Sequence, residues 1–122
     1  MEINANVFWT QNFTNLFSAD HGYSITKWLP TLFHENGHNL NSNPSVWWVT
    51  DEPDNGNNHI ADYRATLARG YQAYLTGINE WAQGYLNMQW SAQISYNLPM
   101  DMLENIPYVD APETGMLFLW LG

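Results

Sequence analysis

The chain has 122 residues, enough for one domain with a modest core, and its 45% hydrophobic and 16% aromatic content predicts collapse rather than disorder. The net charge is −9 with three Lys and Arg side chains in total, which excludes the basic patches that nucleic acid and anionic membranes require. There is no cysteine, so disulfides and thiolate metal sites are excluded as well. Residues 1–4 lack the basic and apolar parts of a signal peptide.

The first half of the chain alternates short predicted elements with loops. Residues 2–8 alternate apolar and polar side chains and predict a strand. A short helix follows, with Thr10 as its N-cap and Gly22 at its end. Another short helix is predicted around residues 28–33, whereas residues 34–58, rich in Asn, Gly, Pro and Ser, predict a long loop insertion.

The strongest periodicity predicts a helix from about residue 59 to residue 85. Its apolar side chains recur at spacings of three and four and are expected to pack on a sheet: Ile60, Tyr63, Leu67, Tyr71, Tyr74, Ile78, Trp81 and Tyr85. Gly70, Gly77 and Gly84 fall one per heptad on a second line, and each costs a helix roughly 1 kcal/mol relative to alanine. Close approach of a neighbouring backbone along that line would offset this cost.

The last third holds a predicted strand, residues 88–97, followed by an acid-rich loop up to residue 113 and an apolar tail, residues 116–122, too short to cross a membrane. The predicted elements follow the order of an α/β unit: a strand, two short helices, a long helix and a second strand. Glu2 lies on the first predicted strand, and several acids follow the second. Glycoside hydrolysis uses two carboxylates, and α/β barrels place such groups at strand ends. The alternative is that these acids only solvate loops.

Two other motifs point to metals. His34, Glu35 and His38 match the H-E-x-x-H pattern of zinc peptidases, although Asn36 and Gly37 between them favour a turn over the required helix. A third zinc ligand is not identifiable. Residues 51–57 resemble a calcium loop in composition, but they lack its alternating ligand register and distal Glu, so a polar turn is the competing interpretation.

Aromatic residues outside the predicted helices suggest a third possibility, a non-catalytic carbohydrate-binding module, because sugar rings stack on aromatic faces. The candidates lie in loops or beside the polar strand: Trp47, Trp48, Trp90, Tyr96 and Tyr108.

Five segments together resemble one stretch of large secreted fungal enzymes similar to the α-L-rhamnosidases of glycoside hydrolase family 106: residues 6–10, 22–30, 62–67, 91–99 and 110–113. The resemblance implies an α/β fold, a partial (β/α)₈ barrel of two or three strand–helix units with a long central helix. It also implies inverting hydrolysis of an oligo- or polysaccharide, calcium near the site, and an extracellular location for the parent enzymes. The location of this chain is left open.

The resemblance also implies site residues. It implies catalytic roles for Glu2, Asp110 and Glu113. The candidate substrate-binding residues are Tyr96, Trp90, Gln93 and Asp101. Gly115 stands where relatives carry a further acid, and the sequence after it no longer resembles the family. Residues 1–122 are therefore expected to form a single fragment of a catalytic barrel domain, inactive alone.

Overall fold

Helices dominate the structure, a computed structural model that describes residues 8–32, 48–94, 100–101 and 103–113. It is 62% helical. The elements in chain order are α1 (Phe13–His21), a first 3₁₀ helix (Ile25–Leu32), α2 (Asn57–Leu86), β1 (Ser91–Gln93), a second 3₁₀ helix (Leu103–Tyr108) and β2 (Ala111–Glu113).

The two short helices predicted early in the chain are present. α1 follows Asn12, rather than the predicted cap Thr10, and ends as predicted at Gly22, whose φ of 76° suits glycine. The next helix is a 3₁₀ helix rather than an α-helix, and it contains Pro30. Because proline has no N–H to donate, it disfavours continuation of a regular α-helix at this point.

The long predicted helix is also present, as α2. Its first turn is held by Asp54, whose Oδ2 accepts from the Asn58 N–H at 2.7 Å and whose Oδ1 accepts from the Gly56 N–H at 3.1 Å. Gly56 adopts a φ of 88°, and the helix ends at Asn87 with a φ of 50°, both in the left-handed region. The calcium-like composition of residues 51–57 thus coincides with a helix-capping turn.

Two hydrophobic clusters divide the core along α2. The first joins α1, the first 3₁₀ helix and the first half of α2, and it contains Phe13, Phe17, Ile25, Leu32, Tyr63 and Leu67. The second joins the later part of α2 to the chain around the strands, and it contains Leu75, Ile94 and Val109. The Tyr63 hydroxyl donates to the Phe8 carbonyl at 2.7 Å and accepts from the Phe8 N–H at 2.9 Å, which satisfies this buried phenol.

The predicted core face of α2 is correct only in its first half. Tyr63 and Leu67 are buried, but the side chains of Tyr74, Trp81 and Tyr85 are 60%, 53% and 81% exposed. Leu75 and Ala82, each one residue after Tyr74 and Trp81, are buried instead. The neighbour expected along Gly70, Gly77 and Gly84 is absent among the described residues, since no atom lies within 4 Å of a Cβ built at any of them.

The predicted fold class is wrong. The described residues contain one sheet of two strands, and both strands follow α2, so α2 connects no two strands within the described ranges. Of the strand predicted at residues 2–8, all but residue 8 lies outside these ranges. The described part of the predicted strand 88–97 ends at residue 94, and within it Ser91–Gln93 is extended and paired. Its partner Ala111–Glu113 is reached through a 3₁₀ helix rather than through the crossover α-helix of a (β/α)₈ unit.

Candidate functional site

The small sheet brings together four residues that the sequence singled out. β1 and β2 pair in parallel, with Ser91 opposite Ala111 and Gln93 opposite Glu113. Trp90 and Asp110 directly precede the two strands and are joined by a hydrogen bond. Of the predicted site residues, Trp90, Gln93, Asp110 and Glu113 are therefore neighbours.

Asp110 links the sheet to α2. Its Oδ2 accepts from the Trp90 N–H at 3.0 Å, and Gln83 Nε2 donates to both carboxylate oxygens at 2.9 and 3.1 Å. The Trp90 N–H, followed by the Gln83 amide, lowers the pKa of Asp110 below its ordinary value, because both donors favour the charged form. This carboxylate can accept a proton but is poorly suited to donate one at neutral pH.

Glu113 lies on the solvent-exposed face of the sheet. The Ser91 hydroxyl donates toward Glu113 Oε1 and also lies 3.0 Å from the Ala111 carbonyl oxygen. Ser91 and Gln93 are exposed, whereas Ala92 between them is half-buried against the second hydrophobic cluster. The exposed face of the sheet thus carries hydroxyl, amide and carboxylate groups.

The remaining predicted residues are not at this sheet. Asp101 lines a separate pocket of about 520 Å³ together with Arg64 and Glu104, and its Oδ1 accepts from the Leu103 N–H at 2.8 Å. Glu2 and Tyr96 lie outside the described residues.

The predicted metal sites are not represented in the described ranges. His34, Glu35 and His38 lie outside them, so the zinc peptidase hypothesis stays a prediction. Among the side chains that the structure describes, no group of three His, Cys, Asp or Glu could hold a metal ion. The calcium implied by the resemblance also stays a prediction.

A polar network that the sequence analysis did not anticipate links α2 to the turn before it. The Tyr23 hydroxyl donates to Asp62 Oδ2 at 2.9 Å and lies 2.8 Å from His59 Nδ1. His59 Nε2 lies 2.8 Å from Glu52 Oε2. With its proton directed to Asp62, the Tyr23 oxygen accepts from His59, so both imidazole nitrogens face acceptors.

The network continues into α1. His21 Nδ1 lies 3.4 Å from Asp62 Oδ1, and His21 Nε2 lies 3.0 Å from Thr66 Oγ1. Arg69, one turn further along α2, forms an ion pair with Asp20 at 2.6 Å. Asp62 is therefore the central acceptor of the network, between α1 and Tyr23.

Burial is the main reason why the pKa of Tyr23 is raised far above its ordinary value, and the hydrogen bond and negative charge of Asp62 add to it. The phenol therefore keeps its proton at physiological pH and acts as a fixed hydrogen-bond donor to Asp62. Its role in the described contacts is to orient His59 and Asp62.

A pocket of about 470 Å³, which we call the tryptophan pocket, opens beside the Glu52 end of this network. Trp28 lines it and stacks on His59, with ring centroids 3.8 Å apart and 12° between the planes. Its other lining residues in the described ranges include Lys27, Trp48, Thr50, Asp51 and Glu52. Trp48 is 59% exposed, and its ring stacks on no other described ring. The pocket thus combines an open indole face with two carboxylates.

Compared with known proteins, the chain matches no family model, no curated protein and no solved structure. The resemblance to glycoside hydrolase family 106 therefore stays a prediction. None of the helices in the described ranges combines the length and apolar character needed to cross a bilayer.

Proposed function

We propose that the chain binds a carbohydrate in the tryptophan pocket. The observation that carries this proposal is the exposed Trp48 indole beside the carboxylates of Asp51 and Glu52 in one concave site. A pyranose ring has an apolar face that can stack on indole and hydroxyls that donate to carboxylates. Ligand sites of this kind combine apolar walls with a few fixed polar groups.

The polar groups of the pocket are held in place from behind. Glu52 Oε2 is engaged by His59 at 2.8 Å and by the Thr50 hydroxyl at 3.2 Å, while Oε1 has no hydrogen-bond partner among the described residues. One oxygen therefore anchors the carboxylate and the other is free to accept from a sugar hydroxyl. Such fixed acceptors reduce the ordering cost of binding.

Titration calorimetry against oligosaccharides, including rhamnose-containing ones, tests the proposal. We expect binding that the Trp48→Ala substitution weakens by about tenfold or more, since the face of one aromatic ring contributes roughly 1–3 kcal/mol in comparable stacking contacts. Trp81→Ala is the matched control, because Trp81 is similarly exposed but lies on α2 outside the pocket. No heat with any sugar, or equal losses in both variants, would remove the proposal.

Glycoside hydrolysis is a second candidate, favoured by the proximity of Trp90, Gln93, Asp110 and Glu113 at the small sheet. The lowered pKa of Asp110 suits a base or nucleophile, which leaves Glu113 as the candidate proton donor. Hydrolysis of aryl α-L-rhamnosides measures this activity directly. We expect Glu113→Gln to reduce turnover about 100-fold or more, as loss of a general acid does. Absence of turnover by the unsubstituted chain contradicts this candidate.

A further inference from the structure

The exposed face of α2 carries a regular alternation of glycine and large side chains, which we call the glycine–aromatic seam. Its members on the helix are Gly70, Tyr74, Gly77, Trp81 and Gly84, at spacings that alternate between four and three residues. This is the 3.5-residue repeat with which two helices pack along each other. Met88 follows two residues past the end of α2 and completes the seam. The helical part of the seam, from Gly70 to Gly84, is about 21 Å long at about 1.5 Å per residue.

The seam has the composition of an interface rather than of an ordinary solvent-facing helix surface. Tyr74, Trp81 and Met88 are between 53% and 60% exposed, and open space surrounds the three glycines among the described residues. The chain has a net charge of −9, yet Glu80 is the one charged side chain between residues 70 and 88. Protein interfaces are depleted in charge at their centre and enriched in Tyr, Trp and Met.

Because glycines alternate with large side chains, the seam can pack on the seam of a second copy when the two helices run in opposite directions. With a two-fold axis near the middle of the seam, Gly77 faces Trp81 of the second copy and Tyr74 faces Gly84. Gly70 then lies opposite the chain just past the end of the second helix, where Met88 is. Every large side chain then meets a glycine. In a parallel pair, by contrast, Trp81 would face Trp81 and Gly77 would face Gly77, which gives collisions alternating with voids.

We propose that a second copy of this chain packs antiparallel on α2 through the glycine–aromatic seam. The glycines let the two backbones approach to about 8 Å, the short end of helix-packing distances. Each glycine becomes the hole for an aromatic or methionine knob of the other copy. This pairing supplies the backbone neighbour that the described part of the chain lacks along the glycine line.

An apolar groove continues the seam at its N-terminal end. It has a volume of about 600 Å³, and Trp9, Leu16, Gly70 and Tyr74 are among its lining residues. In the antiparallel register, the end of the second copy's α2 lies opposite Gly70, which brings its Met88, two residues past that end, to this groove. The groove gives the flexible methionine side chain an apolar site at each end of the pair.

The area available is close to what a specific dimer needs. A fully buried aromatic side chain contributes about 150–250 Å², so the exposed parts of Tyr74, Trp81 and Tyr85 provide about 400 Å² per copy. Met88, the glycine backbone and the groove raise the two-copy total to about 1,000 Å², the lower limit for a specific interface. We therefore expect weak self-association, with a Kd of about 10 µM or above.

Sedimentation equilibrium over a range of concentrations tests the proposal, with Gly77→Leu as the decisive variant. A leucine at this open helical position leaves the monomer intact but fills the hole for Trp81 of the second copy. We expect it to raise the Kd about 10- to 100-fold, the usual range for overpacking. Ala19→Leu is the matched control, because it adds the same side chain at an exposed position of α1. Circular dichroism verifies that both variants remain helical.

Cysteine cross-linking tests the register, since the chain has no cysteine of its own. A mixture of Tyr74→Cys and Gly84→Cys proteins, both substituted within α2, should form mostly mixed disulfide dimers if the helices are antiparallel. Self-linked Gly84→Cys dimers in excess would indicate a parallel pair and overturn the proposal. A monomer at concentrations about tenfold above the expected Kd, or equal dimerisation of both leucine variants, would overturn it as well.

Discussion

The two halves of α2 carry similar apolar side chains but bury them to different extents. In the first half, Tyr63 and Leu67 pack against α1 and the first 3₁₀ helix. In the second half, Tyr74 and Trp81 are more than half exposed, while the small side chain of Ala82 is buried. The comparison teaches that a helical repeat identifies an apolar face without identifying what covers it.

The halves differ in polar chemistry as well. His59 and Asp62 in the first half belong to a network that ties α2 to α1 and to the segment before it. The second half contacts the small sheet through Gln83 and Asp110. The first half of α2 is therefore packed like a protein interior, whereas the glycine–aromatic seam of the second half is exposed and has the composition of a protein–protein interface.

The largest expected effect on stability comes from truncating a core side chain beside the first half of α2, compared with truncating an exposed one on the second half. Phe17 is fully buried against the first half of α2, so Phe17→Ala should lower the free energy of unfolding by about 3–5 kcal/mol. Trp81→Ala removes a larger ring, yet should cost about 0.5 kcal/mol or less in the monomer because that ring is exposed. Urea unfolding at low protein concentration measures both. Equal losses would contradict the burial pattern.

The next effect concerns the polar network of the first half. Tyr23→Phe removes the hydroxyl that joins His59 to Asp62 and should lower the free energy of unfolding by about 1.5–3 kcal/mol, as for hydrogen bonds to charged groups. Tyr85→Phe is the matched control in the second half, because Tyr85 is 81% exposed. A loss confined to Tyr23→Phe supports the network, whereas equal stability of the two variants argues against it.

Glycine substitutions provide a third comparison, with effects of opposite sign. Gly77→Ala should raise the free energy of unfolding of the monomer by about 1 kcal/mol, because the position is helical and open. Gly56→Ala, before the first half, should lower it by about 1–3 kcal/mol. There φ is 88° and the added Cβ would lie 2.9 Å from Thr50 Cγ2. Urea unfolding of both variants at low concentration tests the contrast, and a loss of stability in Gly77→Ala would contradict it.

Local signals in the sequence were sufficient to predict α1, α2 and the glycine at residue 22, because periodicity and capping act over a few residues. The barrel prediction failed because a β-like run does not specify its partners. Among the described residues 88–94, three are paired, Ser91–Gln93, and Ile94 packs in the second cluster with Leu75. Long-range pairing is decided by tertiary contacts that a single sequence does not display.

The candidate sites also divide into residues that local sequence signals identified and contacts between distant segments that they did not. Asp110 and Glu113 were identifiable from the sequence because they lie in the acid-rich loop that follows the predicted strand at residues 88–97. The strand register then places Gln93 opposite Glu113. The Tyr23–His59 contact had no comparable signal, because its members are 36 residues apart and neither belongs to a recognisable motif. The resemblance segments at residues 22–30 and 62–67 include Tyr23 and Asp62, and for Asp62 the resemblance implies a structural role rather than a place in the site.

The smallest expected effect is the acid dependence of the contact that ties the second half of α2 to the sheet. The pKa of Asp110 is lowered in the folded state by the Trp90 N–H and then by Gln83. Its stabilising contribution is therefore present above the unfolded value of about 3.9 and disappears as the pH falls through the lower folded value. Asp110→Ala should be less stable than the unsubstituted chain at pH 7, and this difference should shrink below about pH 4.

Asp51→Ala is the matched control for this titration, because Asp51 is exposed and forms no hydrogen bond with the described residues. Urea midpoints measured from pH 7 to pH 2.5 should converge for Asp110→Ala and the unsubstituted chain, since protonation removes the carboxylate that the substitution also removes. A difference that persists unchanged in acid would mean that Asp110 acts through packing rather than through its charge. The contact between α2 and the sheet would then be independent of pH, as the first hydrophobic cluster is expected to be.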